Sequence, residues 1–268
     1  MKSNISNIKY CKLKKLLKNL ESVLVAFSGG VDSSLVAFAA RDVLKNNAVA
    51  VTIDSHTLPR SELKNAKKVA KEIGIEHLIV KHNVCDEDFI KNPKDRCYYC
   101  KKSDLKILKE IAKQKNIKHV VDGTNANDLK EERYGILALK EKGTISPLAE
   151  VNLSKKEIRK LAKEIKLSNA EKPPMACLST RIPSGERITK ERLKRIENAE
   201  EIINKILNSN GNDNLNAVVR VRDHGRIARI ECSDISLILK NKNEITEKLK
   251  DLGFRYVTVD LNGYKGVI

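Results

Sequence analysis

The sequence predicts an α/β protein, in which a parallel sheet flanked by helices is followed by a smaller C-terminal α+β domain. In the first half of the chain, short apolar runs alternate with segments of helical periodicity, which indicates a parallel sheet with helices on both faces. The first apolar run leads directly into a pair of glycines, as a strand does at a tight turn into a helix. After residue 187 the order changes, and two predicted strands follow each other directly.

The elements of the first half follow from the positions of apolar residues. We interpret the basic, amphipathic residues 1–20 as a helix that leads into the fold. Buried strands are predicted for the short apolar runs at 23–27, 48–53, 77–81 and 118–122. Helices are predicted where apolar residues recur at helical spacing, at 32–45, 60–73 and 103–115. Such a sheet is Rossmann-like, and its ligands bind beyond the carboxyl ends of the strands.

A domain boundary is predicted near residues 168–187, which break both periodicities. We therefore expect one domain over residues 1–170 and a second over 171–268. The elements predicted after the boundary are a helix at 189–207, a polar turn at 209–214, strands at 217–222 and 226–231, a helix at 235–250 and a strand at 255–260.

Composition bounds the class of protein. The chain has 268 residues, of which 41% are hydrophobic, so it can bury a core without disulfides. No apolar run approaches the roughly 18 residues that a membrane-spanning helix needs, and the N-terminus lacks the apolar region of a signal peptide. We expect a cytoplasmic protein with no membrane partner.

The formal net charge of +17 admits two interpretations. An anionic partner such as RNA would explain it, but so would lysine-rich faces of amphipathic helices. Few aromatic residues interleave with the lysines, so the sequence gives little sign of a base-stacking surface. We favour the lysine-rich surface and do not expect nucleic acid as the partner.

The loop SGGVDSS, between the first predicted strand and helix, is the most informative segment. Gly29 and Gly30 allow a tight turn, and successive N–H groups with the following helix N-terminus form an anion site. Ser28, Ser33 and Ser34 add hydroxyl donors, and Asp32 is suited to hold Mg²⁺ against phosphate. The loop lacks the spacing and lysine of a Walker A motif. It resembles the SGGxDS signature of the PP-loop ATP pyrophosphatases, which implies AMP transfer with release of pyrophosphate; a capped Gly-Gly turn is the alternative.

The second predicted strand ends at Ile53, at the same edge of the sheet as the loop. Backbone groups from Val51 to Ile53 are candidates to bind the adenine edge, although an ordinary strand end fits them nearly as well. We take Ile53 as a candidate nucleotide-binding residue, with ATP and Mg²⁺ as the expected ligands.

Three cysteines form a candidate sulfur or metal site. Cys97 and Cys100 make a C-x-x-C pair, and Cys177 lies among basic residues. Three thiolates without a fourth suit a [4Fe–4S] cluster with one open iron, our first hypothesis, since such clusters normally take four cysteines. A redox-active C-x-x-C pair and a lone reactive Cys177 are the alternatives, and we rank a sacrificial or persulfide cysteine second and structural thiols third. The other cysteines fit small buried apolar residues, at Cys11, Cys85 and Cys232.

Arginines in the second domain are candidates for anion binding. Arg220 and Arg222 lie two apart on a predicted strand and so point to one face. Two guanidinium groups on one face suit phosphate or carboxylate, and Arg181 is a third candidate. Surface arginines on a half-exposed strand are the alternative. Asp128 and Glu231 are weaker candidates, each suited equally to an ion pair.

A wider set of segments resembles one family, the LarE family of sulfur transferases. The resemblance covers almost the whole chain and rests on these segments in order: SGGVDSS, DRCYYCK, DGTNANDL, SPLAEVNLSKKEIRKLAKEI, KPPMACLSTRIPSGERIT, VRVRDHGRIARIE and GFRYVTVDLNGY. It implies adenylation of a carboxylate of pyridinium-3,5-dicarboxylic acid mononucleotide, followed by sulfur insertion, in nickel-pincer cofactor synthesis. It also implies nucleotide binding by residues 1–170, and substrate binding and sulfur transfer by residues 171–268.

The resemblance implies roles for individual residues. Ser28, Gly29, Gly30, Asp32 and Ser33 would bind pyrophosphate and Mg²⁺. Some family members keep only the equivalent of Cys177 and sacrifice its sulfur. Because this chain carries all three cysteines, it resembles the cluster-dependent members instead.

Three other classes of protein are alternatives to a sulfur transferase of this family. A tRNA thiolation enzyme uses the same loop and three cysteines, but neither an RNA-binding module nor a zinc ribbon is recognisable here. An ammonia-dependent amidating ligase needs no cysteines, and a nonenzymatic carrier protein needs neither the loop nor the arginines. We expect a homo-oligomer that acts on a mononucleotide, and the sulfur donor stays open.

Overall fold

The computed structural model describes residues 2–82, 86–130, 134–209 and 217–264, with side chains from residue 6. The chain forms two compact units, Met1–Phe89 with Asp95–Met175 and Ile90–Lys94 with Ala176–Ile268. The roles expected for residues 1–170 and 171–268 stay predictions. Within the described ranges, no helix combines the length and apolar character that crossing a membrane requires.

The first unit contains a four-stranded parallel sheet in the order β3-β2-β1-β4. Its strands are β1 (Val23–Ala26), β2 (Ala48–Asp54), β3 (Glu76–Lys81) and β4 (His119–Val121). The helices through residue 164 are α1 (Lys2–Asn19), α2 (Val31–Leu44), α3 (Arg60–Ile73), α4 (Glu87–Ile90), α5 (Arg96–Gln114), α6 (Tyr134–Glu141), α7 (Pro147–Glu150) and α8 (Lys155–Glu164). The predicted Rossmann-like fold class is confirmed.

Alternation along β1 explains why both faces of the sheet are covered. Val23 and Val25 are fully buried against α1, α2 and α8, whereas Leu24 is fully buried on the opposite side with residues of α5 and α6. Successive strand residues point to opposite faces, so a strand that is apolar throughout requires helices on both.

The strand order places a crevice at the carboxyl edge of β1. The chain moves from β1 outward through β2 to β3 and then returns to the other side of β1 with β4. Ligands of open α/β sheets bind at such a switch point. The loops that follow β1 and β4 therefore flank the expected ligand site.

The second unit is a smaller α+β fold. Its sheet has the order β5-β6-β7, with β5 and β6 antiparallel and β6 and β7 parallel. Its core joins one face of this sheet to the surrounding helices, including fully buried Val221 and Ile230. The elements are α9 (Lys190–Ser209), β5 (Val219–His224), β6 (Ile227–Cys232), α10 (Ile235–Lys240), α11 (Lys242–Asp251) and β7 (Tyr256–Val259).

Two predicted helices need correction. The helix expected at 103–115 begins at Arg96, because its first turns carry partly exposed cysteines and tyrosines and the buried spacing starts only at Leu105. The helix expected at 235–250 is broken at Asn241, whose side-chain amide donates to Leu237 O, 2.8 Å away, and competes with the backbone. The predicted polar turn after Ser209 and Cys85 lie outside the described residues.

Candidate active site

The loop between β1 and α2 is held by its own serines. The Ser28 and Ser33 hydroxyls lie 3.1 Å apart, and the Ser33 hydroxyl donates to Gly30 O over 3.1 Å. Gly30 is the N-cap of α2 and receives no side-chain cap. The first N–H groups of α2 therefore point into the loop, where the helix dipole favours an anion.

Gly29 is required for two independent reasons. Its φ of +72° lies in the left-handed region, which residues other than glycine rarely adopt. A Cβ at this position would also lie 2.7 Å from Ala66 Cα on α3. The backbone of the loop thus packs directly on α3, which a residue with a side chain would prevent.

Asp32, the predicted Mg²⁺ ligand, lies in the first turn of α2 with cationic and amide partners. It forms an ion pair with Lys155 at the start of α8, and the Asn125 amide donates to it over 3.4 Å. Asn125 comes from the loop after β4, so both flanks of the crevice meet at this carboxylate. A carboxylate at the phosphate loop is the ligand type that Mg²⁺ prefers.

Lys155 was missed by the sequence analysis, although it places an ammonium group at the mouth of a loop that lacks the Walker lysine. A local signal was present, because Ser154 and Glu157 form a capping box that fixes the start of α8. That signal locates the helix, but it does not show that its first residue reaches α2.

The residue before the loop is fixed by a buried hydrogen-bond chain. Thr52 on β2 donates its hydroxyl to Phe27 O over 2.7 Å. Its oxygen then lies 2.8 Å from His77 Nε2, which must donate. Burial lowers the pKa of His77, and Lys67 adds to the effect, so the imidazole is neutral at pH 7. These two hydrogen bonds hold the carboxyl end of β1 in place.

The segment after β4 packs on the helix start. A Cβ at Gly123 would lie 2.7 Å from Ser33 N, so only glycine permits this approach. The neighbouring Asp122 is buried and accepts hydrogen bonds from Ser146, at 2.7 Å, and Thr124. Asp128, a weaker candidate, accepts from Asn125 N over 3.0 Å.

The candidate adenine position lies at the end of β2. Ile53 pairs with Val80 of β3, and the next residue, Asp54, forms an ion pair with Arg60. Arg60 also donates to Ser55 O and closes the loop into α3. The role of Ile53 in binding adenine stays a prediction.

Cys97 and Cys100 lie in the first turns of α5, three residues apart and thus on one helix face. Both are thiols, the first exposed and the second half-buried. Cys100 Sγ lies 3.9 Å from Asp104 Oδ2, and burial raises the pKa of that carboxyl. Thiols at this spacing are suitable iron–sulfur ligands.

Cys177, the candidate sulfur-handling residue, begins a short 3₁₀ turn in the second unit. It is half-buried, and its Sγ lies 2.9 Å from the Ser179 hydroxyl. Arg181 donates to Cys177 O over 3.0 Å and pairs with Glu200 in the core. The buried ion pair between Arg181 and Glu200 therefore holds the turn in place.

The three candidate arginines lie close enough to influence one another. Burial lowers the pKa of Arg220, and the neighbouring Arg181 and Arg222 add to the effect. Arg222 makes a bidentate ion pair with Glu231, with both contacts at 2.9 Å. This concentration of positive charge favours an anion, but two of the arginines also have carboxylate partners, so their phosphate-binding role stays a prediction.

Within the part of the chain that the structure describes, no three His, Cys, Asp or Glu side chains are grouped as a metal site. The fit of a [4Fe–4S] cluster therefore rests on the chemistry of the three cysteines alone. The metal-binding roles of Cys97, Cys100 and Cys177 stay predictions.

Comparisons with known proteins agree with this geometry. A family model described as NAD synthase matches residues 8–191. An uncharacterised protein of Synechocystis sp. is 39% identical over 263 residues, covering 94% of this chain and 93% of the relative. Pyridinium-3,5-bisthiocarboxylic acid mononucleotide synthase of Lactiplantibacillus plantarum is 36% identical over 261 residues, covering 96% and 92%. A chain of the glutamine-hydrolyzing GMP synthase of Saccharolobus islandicus is 28% identical over 277 residues, covering 84% and 73%.

The parallel sheet, the glycine–serine loop after β1 and the match to the family model define an enzyme of the PP-loop ATP pyrophosphatase class. ATP use and Mg²⁺ follow from that class. Identity over nearly the whole chain is more specific, and the protein belongs to the LarE family. The predicted family is confirmed.

Proposed function

We propose that this protein is an ATP-dependent sulfurtransferase that converts a carboxylate of pyridinium-3,5-dicarboxylic acid mononucleotide into a thiocarboxylate. The observation that carries the proposal is the 36% identity, over 96% of the chain, to the mononucleotide synthase of L. plantarum. The product belongs to nickel-pincer cofactor biosynthesis.

Adenylation is the first step of the proposed reaction. A substrate carboxylate oxygen attacks the α-phosphorus of ATP, the bond to the β-phosphate breaks, and pyrophosphate leaves. The first N–H groups of α2 and the hydroxyls of Ser28 and Ser33 stabilise the negative charge of pyrophosphate. Asp32 would hold Mg²⁺, which would neutralise part of the phosphate charge, and Lys155 supplies a further positive charge at the same loop.

Sulfur transfer is the second step. A sulfur nucleophile attacks the acyl carbon, a C–S bond forms, and the bond to AMP breaks. Cys177 handles this sulfur, and the Ser179 hydroxyl 2.9 Å from its Sγ is placed to donate a hydrogen bond that stabilises the thiolate. Arg181, Arg220 and Arg222 are proposed to bind the substrate phosphate.

A [4Fe–4S] cluster is proposed on Cys97, Cys100 and Cys177. The three thiols are suitable donors, so these cysteines would hold the cluster, and the cluster would supply a binding site for external sulfide. With such a relay Cys177 would keep its sulfur. Without it, the Cys177 thiolate displaces AMP to form a thioester, and elimination then breaks the Cβ–Sγ bond, which leaves the thiocarboxylate on the substrate and dehydroalanine in the chain.

The function is tested by incubating the anaerobically purified chain with ATP, Mg²⁺, sulfide and the dicarboxylate mononucleotide. We expect AMP, pyrophosphate and a thiocarboxylate product, with pyrophosphate release dependent on the mononucleotide. Release of orthophosphate alone would contradict adenylation. In parallel incubations, ammonia replaces sulfide or tRNA replaces the mononucleotide. Amidation of the mononucleotide in place of thiolation would assign the protein to the ligase class, and thiolation of tRNA would identify it as a tRNA enzyme.

The cluster is tested by its iron content. We expect anaerobic reconstitution to load about four iron and four sulfide per chain, and Cys97→Ala and Cys100→Ala each to lose most of the iron. Cys232→Ala is the control, because this cysteine is buried in the core of the second unit. Iron loading that is equal in all variants excludes the proposed ligands.

A further inference from the structure

We propose that Asn65 and Asn169 form a carbonyl clamp, which orients the Gly29–Gly30 peptide so that the Gly30 N–H faces the phosphates of ATP. The clamp rests on the proposed nucleotide site and adds two positioning residues to it. Both asparagines belong to the first unit, one on α3 and the other after α8.

Two amides converge on one carbonyl. Asn65 Nδ2 and Asn169 Nδ2 each lie 2.8 Å from Gly29 O. A carbonyl oxygen has two lone pairs, so these donors saturate it. In a planar trans peptide the C=O and the following N–H point in opposite directions. Fixing Gly29 O on the side of the asparagines therefore directs the Gly30 N–H to the other side.

The orientation of the Asn169 amide is determined by its surroundings. Asn169 is 2% exposed, and its Nδ2 donates both to Gly29 O and to Ser34 Oγ, at 2.8 Å each. A flipped amide would place Oδ1 against the oxygen of Gly29, where the two acceptors would repel. The Asn169 side chain thus ties the loop carbonyl to the first turns of α2.

Helix α3 both packs closely against Gly29 and supplies one of its hydrogen-bond donors. Ala66 on α3 leaves no room for a Cβ at Gly29, and the preceding residue, Asn65, supplies one of the two donors. The position of α3 therefore explains both the close approach of Ala66 to Gly29 and the hydrogen bond from Asn65 to Gly29 O. Side chains of the protein itself hold the Gly29 peptide, so ATP need not order it.

The outward N–H is weakly engaged. Gly30 N lies 3.3 Å from Ser28 Oγ, longer than the usual 2.9–3.0 Å of an N–H···O bond. A phosphate oxygen offers this N–H a shorter, charge-assisted bond. The clamp thus prepares one donor for the part of ATP that leaves as pyrophosphate.

The experiment measures binding of ATP, pyrophosphate and AMP to the full chain by calorimetry with Mg²⁺. Asn65→Asp replaces a donor with a carboxylate that repels Gly29 O, and its half-buried position tolerates the change. We expect affinity for ATP and pyrophosphate to fall about tenfold, while AMP binds as before. Asn169→Ser, which removes the other amide without adding charge, is expected to act in the same direction.

Asn46→Asp is the matched control. Asn46 is exposed, and its side chain accepts a hydrogen bond from Arg41, which does not belong to the loop. Equal losses for AMP and pyrophosphate would indicate a merely structural role and overturn the clamp. Unchanged binding in both variants would also overturn the clamp, as would a failure of the unaltered chain to bind either ATP or pyrophosphate. These measurements need no mononucleotide, so failure to form a thiocarboxylate would contradict the proposed function without affecting the clamp.

Discussion

Replacement of Cys177 by alanine is expected to reduce formation of the thiolated product at least about a thousandfold, as loss of a nucleophile does in other enzymes. In the proposed mechanism, the sacrificial route and the sulfide relay both depend on the Cys177 thiol, so neither route remains in the variant. Pyrophosphate release from ATP should persist, because adenylation requires the loop of the first unit and no thiol. The measurement is mass spectrometry of the product beside an assay of pyrophosphate.

Cys11→Ala is the control for this experiment. The predicted buried position of Cys11 is wrong, because this thiol lies on the exposed face of α1. Its loss is expected to leave both steps unchanged. The mass of the unaltered chain after turnover separates the two routes, since loss of one sulfur indicates sacrifice and an unchanged mass indicates relay. A thiolated product made at the normal rate by Cys177→Ala would exclude Cys177 from sulfur transfer.

Periodicity predicted the sheet because it is a local property of the chain. The helix predicted at 60–73 matches α3, since its buried face recurs every turn and Gly74 ends it in the left-handed conformation. The loop was equally visible, because its glycines, serines and aspartate are contiguous. Where an element starts with partly exposed residues, as α5 does at Arg96, the apolar pattern locates it too late.

The polar contacts of the site could not be predicted in this way. Asn169 reaches Gly29 across 140 positions, and Lys155 reaches Asp32 across 123. No local pattern records such pairings, because a polar residue on a helix surface looks the same whether it meets solvent or a distant loop. Asn169 lies in the segment that broke both periodicities, so the sequence predicted a domain boundary where the structure has a side chain that hydrogen-bonds to Gly29 O and Ser34 Oγ.

Gly29→Ala is expected to abolish ATP-dependent pyrophosphate release and to lower the free energy of unfolding by about 3 kcal/mol. The left-handed φ costs a residue with a Cβ about 1–2 kcal/mol, and overpacking costs about 1–3 kcal/mol more. The second cost arises because the new methyl group would lie 2.7 Å from Ala66 Cα. The loop must move away from α3, which carries the Gly30 N–H out of place. Urea unfolding and a pyrophosphate assay measure the two effects.

Gly74→Ala separates the two causes, because Gly74 has nearly the same φ, +70°, and its new methyl group would have nothing within 4 Å. This control carries the conformational cost alone, and we expect a loss of about 1 kcal/mol with pyrophosphate release unchanged. If the two variants lose equal stability, contact with α3 does not constrain Gly29. If Gly29→Ala loses stability but keeps full pyrophosphate release, the loop tolerates displacement, and a fixed backbone N–H at Gly30 is not what binds the phosphates.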